Sequence, residues 1–145
     1  MVYIWTFQSM GATLSVERTE RRQKMSAVGL RAFFEVTGKW GLKASEQRIL
    51  LGDIPKSTFY KWKKAEGEGL SLSNDTLERI SYVVGIYKAL HTLFPEDRIA
   101  DNWLRWPSTN PSFSGRSPLD RMLAGQVADL SYVRRYLDAQ CWAGH

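Results

Sequence analysis

The chain has 145 residues, 43% apolar and 24% charged, a composition that excludes intrinsic disorder and allows a core without disulfides or metals. Its most continuous apolar stretch, Tyr82 to Phe94, is interrupted by Lys88 and His91, and a bilayer takes roughly 20 apolar residues, so no membrane span is expected. The net charge of +5 lies wholly in the first half: residues 1–70 hold 12 Lys/Arg against 7 Asp/Glu, and residues 71–145 hold 8 of each. A basic segment joined to a neutral one points to a polyanion-binding unit attached to a unit that binds protein.

Residues 1–24 show little pattern beyond the charged run from Glu17 to Lys24 and read as a flexible N-terminal arm, with Met10 and Met25 as alternative starts. No basic n-region or cleavage site marks a signal peptide, and the single cysteine, Cys141, reads as a packing or tail thiol, so a cytoplasmic location is expected. Helical periodicity begins near Ser26, with Val28, Leu30, Phe33, Phe34 and Val36 on one face and Gly38 as the stop. Ser45 is placed to cap a short helix through Leu51 that turns Ile49 and Leu50 inward. Residues 52–55 form a turn, and Lys56 to Lys64 a second short helix, stopped by the region of Gly67 and Gly69.

Residues 66–73 carry Gly67, Gly69, Ser71 and Ser73 and read as the domain boundary, dividing the chain into 1–24, 25–70 and 71–145. Asn74 or Asp75 then caps a long helix to about Phe94, whose stripe is Leu77, Ile80, Val84, Tyr87 and Leu90. After Pro95, a helix from Glu96 to Trp106 places Ile99, Trp103 and Trp106 on one side, until Pro107 ends it. Beyond the loop at 108–116, Ser117 caps the next helix, with Pro118 at its first position and Asp120 near its N-terminal dipole. Gly125 breaks that helix, and a last one runs from about Asp129 to Ala139. No alternating strand pattern of useful length occurs. The expected fold is all-α.

The segment from Ser45 to Lys64 fits a helix-turn-helix. One turn position prefers positive φ, which Gly52 supplies, and an apolar residue after the turn pins the helices, which Ile54 supplies. Phe59 and Trp62 pack inward with Ile54, and burial of each aromatic contributes on the order of 1.5–3 kcal/mol. The opposite face presents Lys56, Ser57, Thr58, Tyr60, Lys61 and Lys64 to operator DNA. The first turn of such a helix reaches base edges, while later lysines meet phosphates. Ser57 and Thr58 bond to many base edges, so they name no sequence. One short recognition helix seldom supplies enough affinity, and palindromic half-sites call for two-fold symmetry, so a homodimer is expected.

The second half is rich in aromatics: Tyr82, Tyr87, Phe94, Trp103, Trp106, Phe113, Tyr132, Tyr136 and Trp142. Seventy-odd residues can hardly bury all of them, which leaves some for a protein interface. The blocks Asn74 to Tyr82, Gly85 to Leu90, Ala100 to Leu104, Phe113 to Asp120 and Val133 to Asp138 are similar to the Xre/MbcA/ParS toxin-binding antitoxin family, whose members carry an Xre-like helix-turn-helix in front. The resemblance runs from Leu30 to Ala139 and is most specific from Gly115 to Asp120 and from Arg134 to Asp138; Ser114 stands where a second glycine is expected. It implies an antitoxin of a type II toxin–antitoxin pair that binds its own promoter and neutralises a RES-domain toxin, an NAD-consuming enzyme, although some relatives pair with ADP-ribosyltransferase-like toxins.

Arg116, Arg134, Arg135, Asp138 and Trp142 are the candidate toxin-binding residues. A pocket built for a dinucleotide pyrophosphate should be cationic, and a tail bearing Asp138, Gln140 and the carboxylate at His145 is suited to it. Asp138 is equally placed to be an i,i+4 partner of Arg134. A stand-alone repressor whose back half only dimerises is the alternative. Catalysis is not expected: His91 and His145 are far apart, and there is no phosphate-binding glycine loop, metal-spaced Cys/His set or Ser/His/Asp arrangement, so no cofactor is called for.

Overall fold

A computed structural model of the chain describes residues 2–143, with side chains from Thr13 onward. Seven α-helices are described: α1 (Val2–Lys39), α2 (Ala44–Leu50), α3 (Lys56–Ala65), α4 (Asn74–Leu93), α5 (Asp97–Asn102), α6 (Pro118–Met122) and α7 (Val127–Ala143). Short 3-10 turns at Trp103–Arg105 and Pro111–Phe113 join α5 to α6, and no strand occurs among the described residues. The all-α expectation holds.

Local signals set several boundaries. Ser73, one residue before the expected cap, accepts from the Thr76 N–H at 3.2 Å and opens α4. Ser117 caps α6 as expected: its hydroxyl accepts from the Asp120 N–H at 3.1 Å while the Asp120 carboxylate accepts from the Ser117 N–H at 3.3 Å. Ser45 is not a cap. It lies exposed inside α2, which starts one residue earlier because the Lys43 N–H finds the Glu46 carboxylate at 2.9 Å. The expected helix from Glu96 to Trp106 breaks into α5 and a 3-10 turn, which buries Ala100 and Leu104 and leaves Trp106 exposed.

α1 runs back through the residues expected to form an arm. Leu30, Phe33 and Val36 face the core as expected, but Val28 is exposed and Ser26 is buried in its stead. The Ser26 hydroxyl donates to the Arg22 carbonyl at 2.8 Å and accepts from the Leu72 N–H at 2.9 Å, while Arg22 donates to the Leu72 carbonyl at 3.1 Å. The 66–73 segment is thereby strapped to α1 and does not divide the core. One hydrophobic cluster runs from Leu30 to Leu137 across the expected boundary.

The stripe expected on α4 covers only part of what that helix buries. Ile80 and Leu90 are buried, but so are Thr76, Arg79, Val83, Gly85, Ile86 and Ala89, because α1 packs on one side of α4 and α7 on another. The Arg134 guanidinium from α7 lies over Gly85, where a Cβ would overlap it and force that arginine to move. Near the far end, Lys39 Nζ bonds the Tyr87 hydroxyl at 3.1 Å, which raises the lysine pKa above its ordinary value. His91 bridges Asp101 at 2.8 Å and Asp97 at 3.3 Å, joining α4 to α5. From there Phe94, Trp103, Tyr136, Phe113 and Tyr132 touch ring to ring into the α7 face.

Gly67 is the tightest backbone approach outside α4: its φ is +82°, and a Cβ would lie 2.7 Å from Ala27 Cα on α1. Gly67→Ala is expected to cost about 2 kcal/mol or more, from αL strain plus separation of two backbones. A urea titration with an unshifted midpoint would contradict this packing.

Candidate DNA and toxin interfaces

The turn between α2 and α3 is built as the spacing predicts, with one addition. Gly52 takes φ +109°, and Asp53 also takes the left-handed region at +58°. The Arg48 carbonyl accepts from the Asp53 N–H at 2.8 Å and the Ile54 N–H at 3.3 Å, while Arg48 Nε donates to the Ile54 carbonyl at 2.8 Å. Arg48 therefore closes the turn from both ends.

After the turn, Phe59 is fully buried, Trp62 and Ile54 are partly buried against the core, and Phe34 meets the Phe59 ring edge-on. Lys63 Nζ sits over the Phe34 and Phe59 rings at 5.9 Å from each. With that side of α3 taken, Lys56, Ser57, Tyr60, Lys61 and Lys64 are all exposed, and Thr58 is half-buried on the flank. All six expected DNA-facing residues thus lie on one short helix, and Ser57, Lys61 and Lys64 share its outermost line.

The second candidate surface lies at the opposite end of the chain. Arg116 and Arg135 are exposed, and Trp142 is 82% exposed near the end of α7. Arg116 lines an open pocket of about 400 Å³ with Ser112, Phe113, Ser114, Asp120, Arg121 and Ala124. Ser114, at φ +52°, and Gly115, at +77°, form the rim turn, so the serine occupies a conformation in which glycine is the ordinary residue. Arg134 and Asp138 are partly engaged internally: Nε meets the Asp138 carboxylate at 3.2 Å, and NH1 reaches the Ser81 carbonyl at 3.4 Å. That leaves Arg116, Arg135 and Trp142 as the outward members of the five. His145 lies outside the described residues.

Residues 20–85 match the model of the antitoxin Xre-like helix-turn-helix domain, and residues 89–141 that of the antitoxin Xre/MbcA/ParS C-terminal toxin-binding domain. The chain belongs to the Xre/MbcA/ParS antitoxin family. A relative, the uncharacterized protein y4oB of Sinorhizobium fredii (strain NBRC 101917 / NGR234), is 50% identical over 111 residues, which cover 77% of this chain and 82% of the relative.

In this antitoxin the two matched domains share α4, and the seam between them holds residues that sequence reasoning missed. The Arg79 side chain is almost wholly buried: Nε pairs with Asp75 at 3.0 Å, and NH1 donates to the Gly125 carbonyl at 3.0 Å. A Cβ on Gly52 would stand 3.4 Å from Arg79 Nε, and one on Gly125 would stand 3.8 Å from Ile49. The helix-turn-helix turn and the turn opening α7 thus rest on one guanidinium. Arg105 makes a second bridge, donating to the Trp40 carbonyl at 2.7 Å and the Gly41 carbonyl at 3.1 Å. An arginine between Glu78 and Ile80, next to the inner stripe of α4, was the available signal for Arg79. Among the described residues, no helix is long and apolar enough to cross a membrane.

Arg79→Ala leaves the Gly125 carbonyl unpaired and opens a gap beneath both turns, so a loss of about 1–3 kcal/mol is expected. Hydrogen exchange should rise together at 52–54 and 125–127. Faster exchange at one turn alone would show that Arg79 does not join them.

Proposed function

We propose that the antitoxin neutralises a RES-domain, NAD-consuming toxin through its C-terminal half and represses its own operon as a homodimer through α3. The observation that carries the DNA half is the exposed line of Ser57, Lys61 and Lys64 beside Lys56 and Tyr60, with Phe59 buried on the other side and the exposed Lys63 turned over the Phe59 ring. In this reading Ser57, Thr58 and Tyr60 meet bases or sugars while the lysines neutralise phosphates. The match of residues 89–141 to a toxin-binding domain favours this over a repressor whose second half only dimerises.

On the toxin side, Arg116, Arg135 and Trp142 form the rim contacts. Arg134 and Asp138 hold the end of α7 in register and offer their outer edges. A tryptophan already exposed on α7, the helix that also carries the exposed Arg135, has the composition of an interface anchor.

Two experiments test the halves separately. Lys61→Ala with Lys64→Ala should make the log–log slope of operator affinity against salt shallower by about 1.8, at roughly 0.9 for each phosphate that a lysine no longer neutralises; an unchanged slope sinks the assignment of α3. Trp142→Ala should leave the melting temperature nearly unchanged and weaken toxin binding by about 2 kcal/mol, roughly thirtyfold. Co-expressed with the toxin, it should let cellular NAD fall. Full protection by this variant and by a chain cut after Leu137 would remove the proposed toxin contacts.

A further inference from the structure

α1 carries an apolar row that nothing in the monomer covers. Every residue from Thr13 to Arg21 is exposed, and Arg22 and Ser26 strap the helix to the body. Along the exposed side run Leu14 (52% exposed), Met25 (55%) and Val28 (62%), with Arg18 and Arg21 between them. The spacing 14, 18, 21, 25, 28 alternates four and three, the register of a seam between two helices. Beside the second half of this row, Arg21, Lys24, Met25 and Val28 join Leu77 and Ser81 of α4 in an open groove of about 420 Å³.

A long helix draws most of its stability from packing an apolar face, and residues 14–21 of α1 are exposed in the monomer. We propose that this groove is filled by residues 14–21 of α1 from a second copy of the chain, the two helices running antiparallel about a two-fold axis near Arg21. This rests on the homodimer reading above and names its interface.

Charge decides the direction. The row is flanked by Glu17 and, two turns on, by Lys24, with Arg21 between them, while Arg22 is turned to the Leu72 carbonyl. An antiparallel pair sets Glu17 of one copy against Arg21 and Lys24 of the other, whereas a parallel pair sets each basic residue beside itself. Antiparallel crossing at Arg21 also places Leu14 on Val28 of the other copy, twice by symmetry. Arg21 lies at the crossing, where its stem covers apolar surface while its head reaches Glu17 or Glu20. The seam from position 14 to position 28 runs about 21 Å along each helix, and the two-fold axis fills the groove of each copy once.

The test is a disulfide trap in the full chain carrying Cys141→Ser. Within one chain, positions 14 and 28 are about 21 Å apart along the helix, so they cannot bridge each other. Leu14→Cys with Val28→Cys should oxidise to a covalent dimer of twice 16.6 kDa, and either cysteine alone should not. Cross-linking by Leu14→Cys alone would mean a parallel pair and would overturn the arrangement. Separately, Met25→Glu with Val28→Glu should raise the dimer dissociation constant about a hundredfold or more by placing carboxylates in the seam. Sedimentation should show it, while helicity and toxin binding persist. A dimer that survives both glutamates would overturn this interface and leave the homodimer reading intact; a wild-type chain that sediments as a monomer at tens of micromolar would overturn both.

Discussion

The molecule depends on α4 being packed from more than one side. A helix with one apolar stripe can end a domain; a helix buried against both α1 and α7 must join two. Two arginines make that possible. Arg79 lies inside the seam with its charge met by Asp75 and a main-chain carbonyl, and Arg134 lies over Gly85, where a side chain on α4 would displace it. The cost of burying a guanidinium is offset only because its donors find acceptors. The bond from Arg79 to the Gly125 carbonyl holds the turn before α7, and the turn of the helix-turn-helix packs at Gly52 beside the same guanidinium.

The two halves also use charge differently. In the neutral half, opposite charges meet one another: Arg79 with Asp75, Arg121 with Asp129 and Arg134 with Asp138, while the His91 ring bridges Asp97 and Asp101. Arg121 lies over the Tyr132 ring as well. A half-exposed pair such as Arg134 with Asp138 contributes little stability, but it orients its helix. In the basic half, the excess lies on α3, where Lys56, Lys61 and Lys64 point into solvent. Charge used internally holds a shape; charge left outward attracts a polyanion from a distance.

Much of this was legible because the signals are local. Gly52 and Ile54 announce the turn, Phe59 the buried side of α3, and the serine, proline and aspartate at 117, 118 and 120 the start of α6. The outward lysines follow directly once Phe59 is placed inside. The remainder was hidden for identifiable reasons. Val28 fits the apolar side of α1 by spacing, yet Ser26 takes the buried place because the Leu72 N–H needs an acceptor. The stripe on α4 reads as one-sided because a period of 3.6 shows where apolar residues recur, not how many neighbours a helix has. Glycine and arginine count as non-stripe residues in such a pattern, and both are buried there.

By itself the sequence determined the helical class, the helix-turn-helix, the outward face of α3, the uneven charge and the family to which the chain belongs. All of these arise from residues within a few turns of one another, or from composition. The tertiary structure alone decided that the glycine-rich segment does not separate two cores, that Arg48 and Arg79 clasp the turns, and that Arg134 is held against α4 while Arg135 and Trp142 are offered outward. These depend on contacts between residues far apart in the chain, such as Arg79 with Gly125, and periodicity carries no record of which distant carbonyl a buried donor will find.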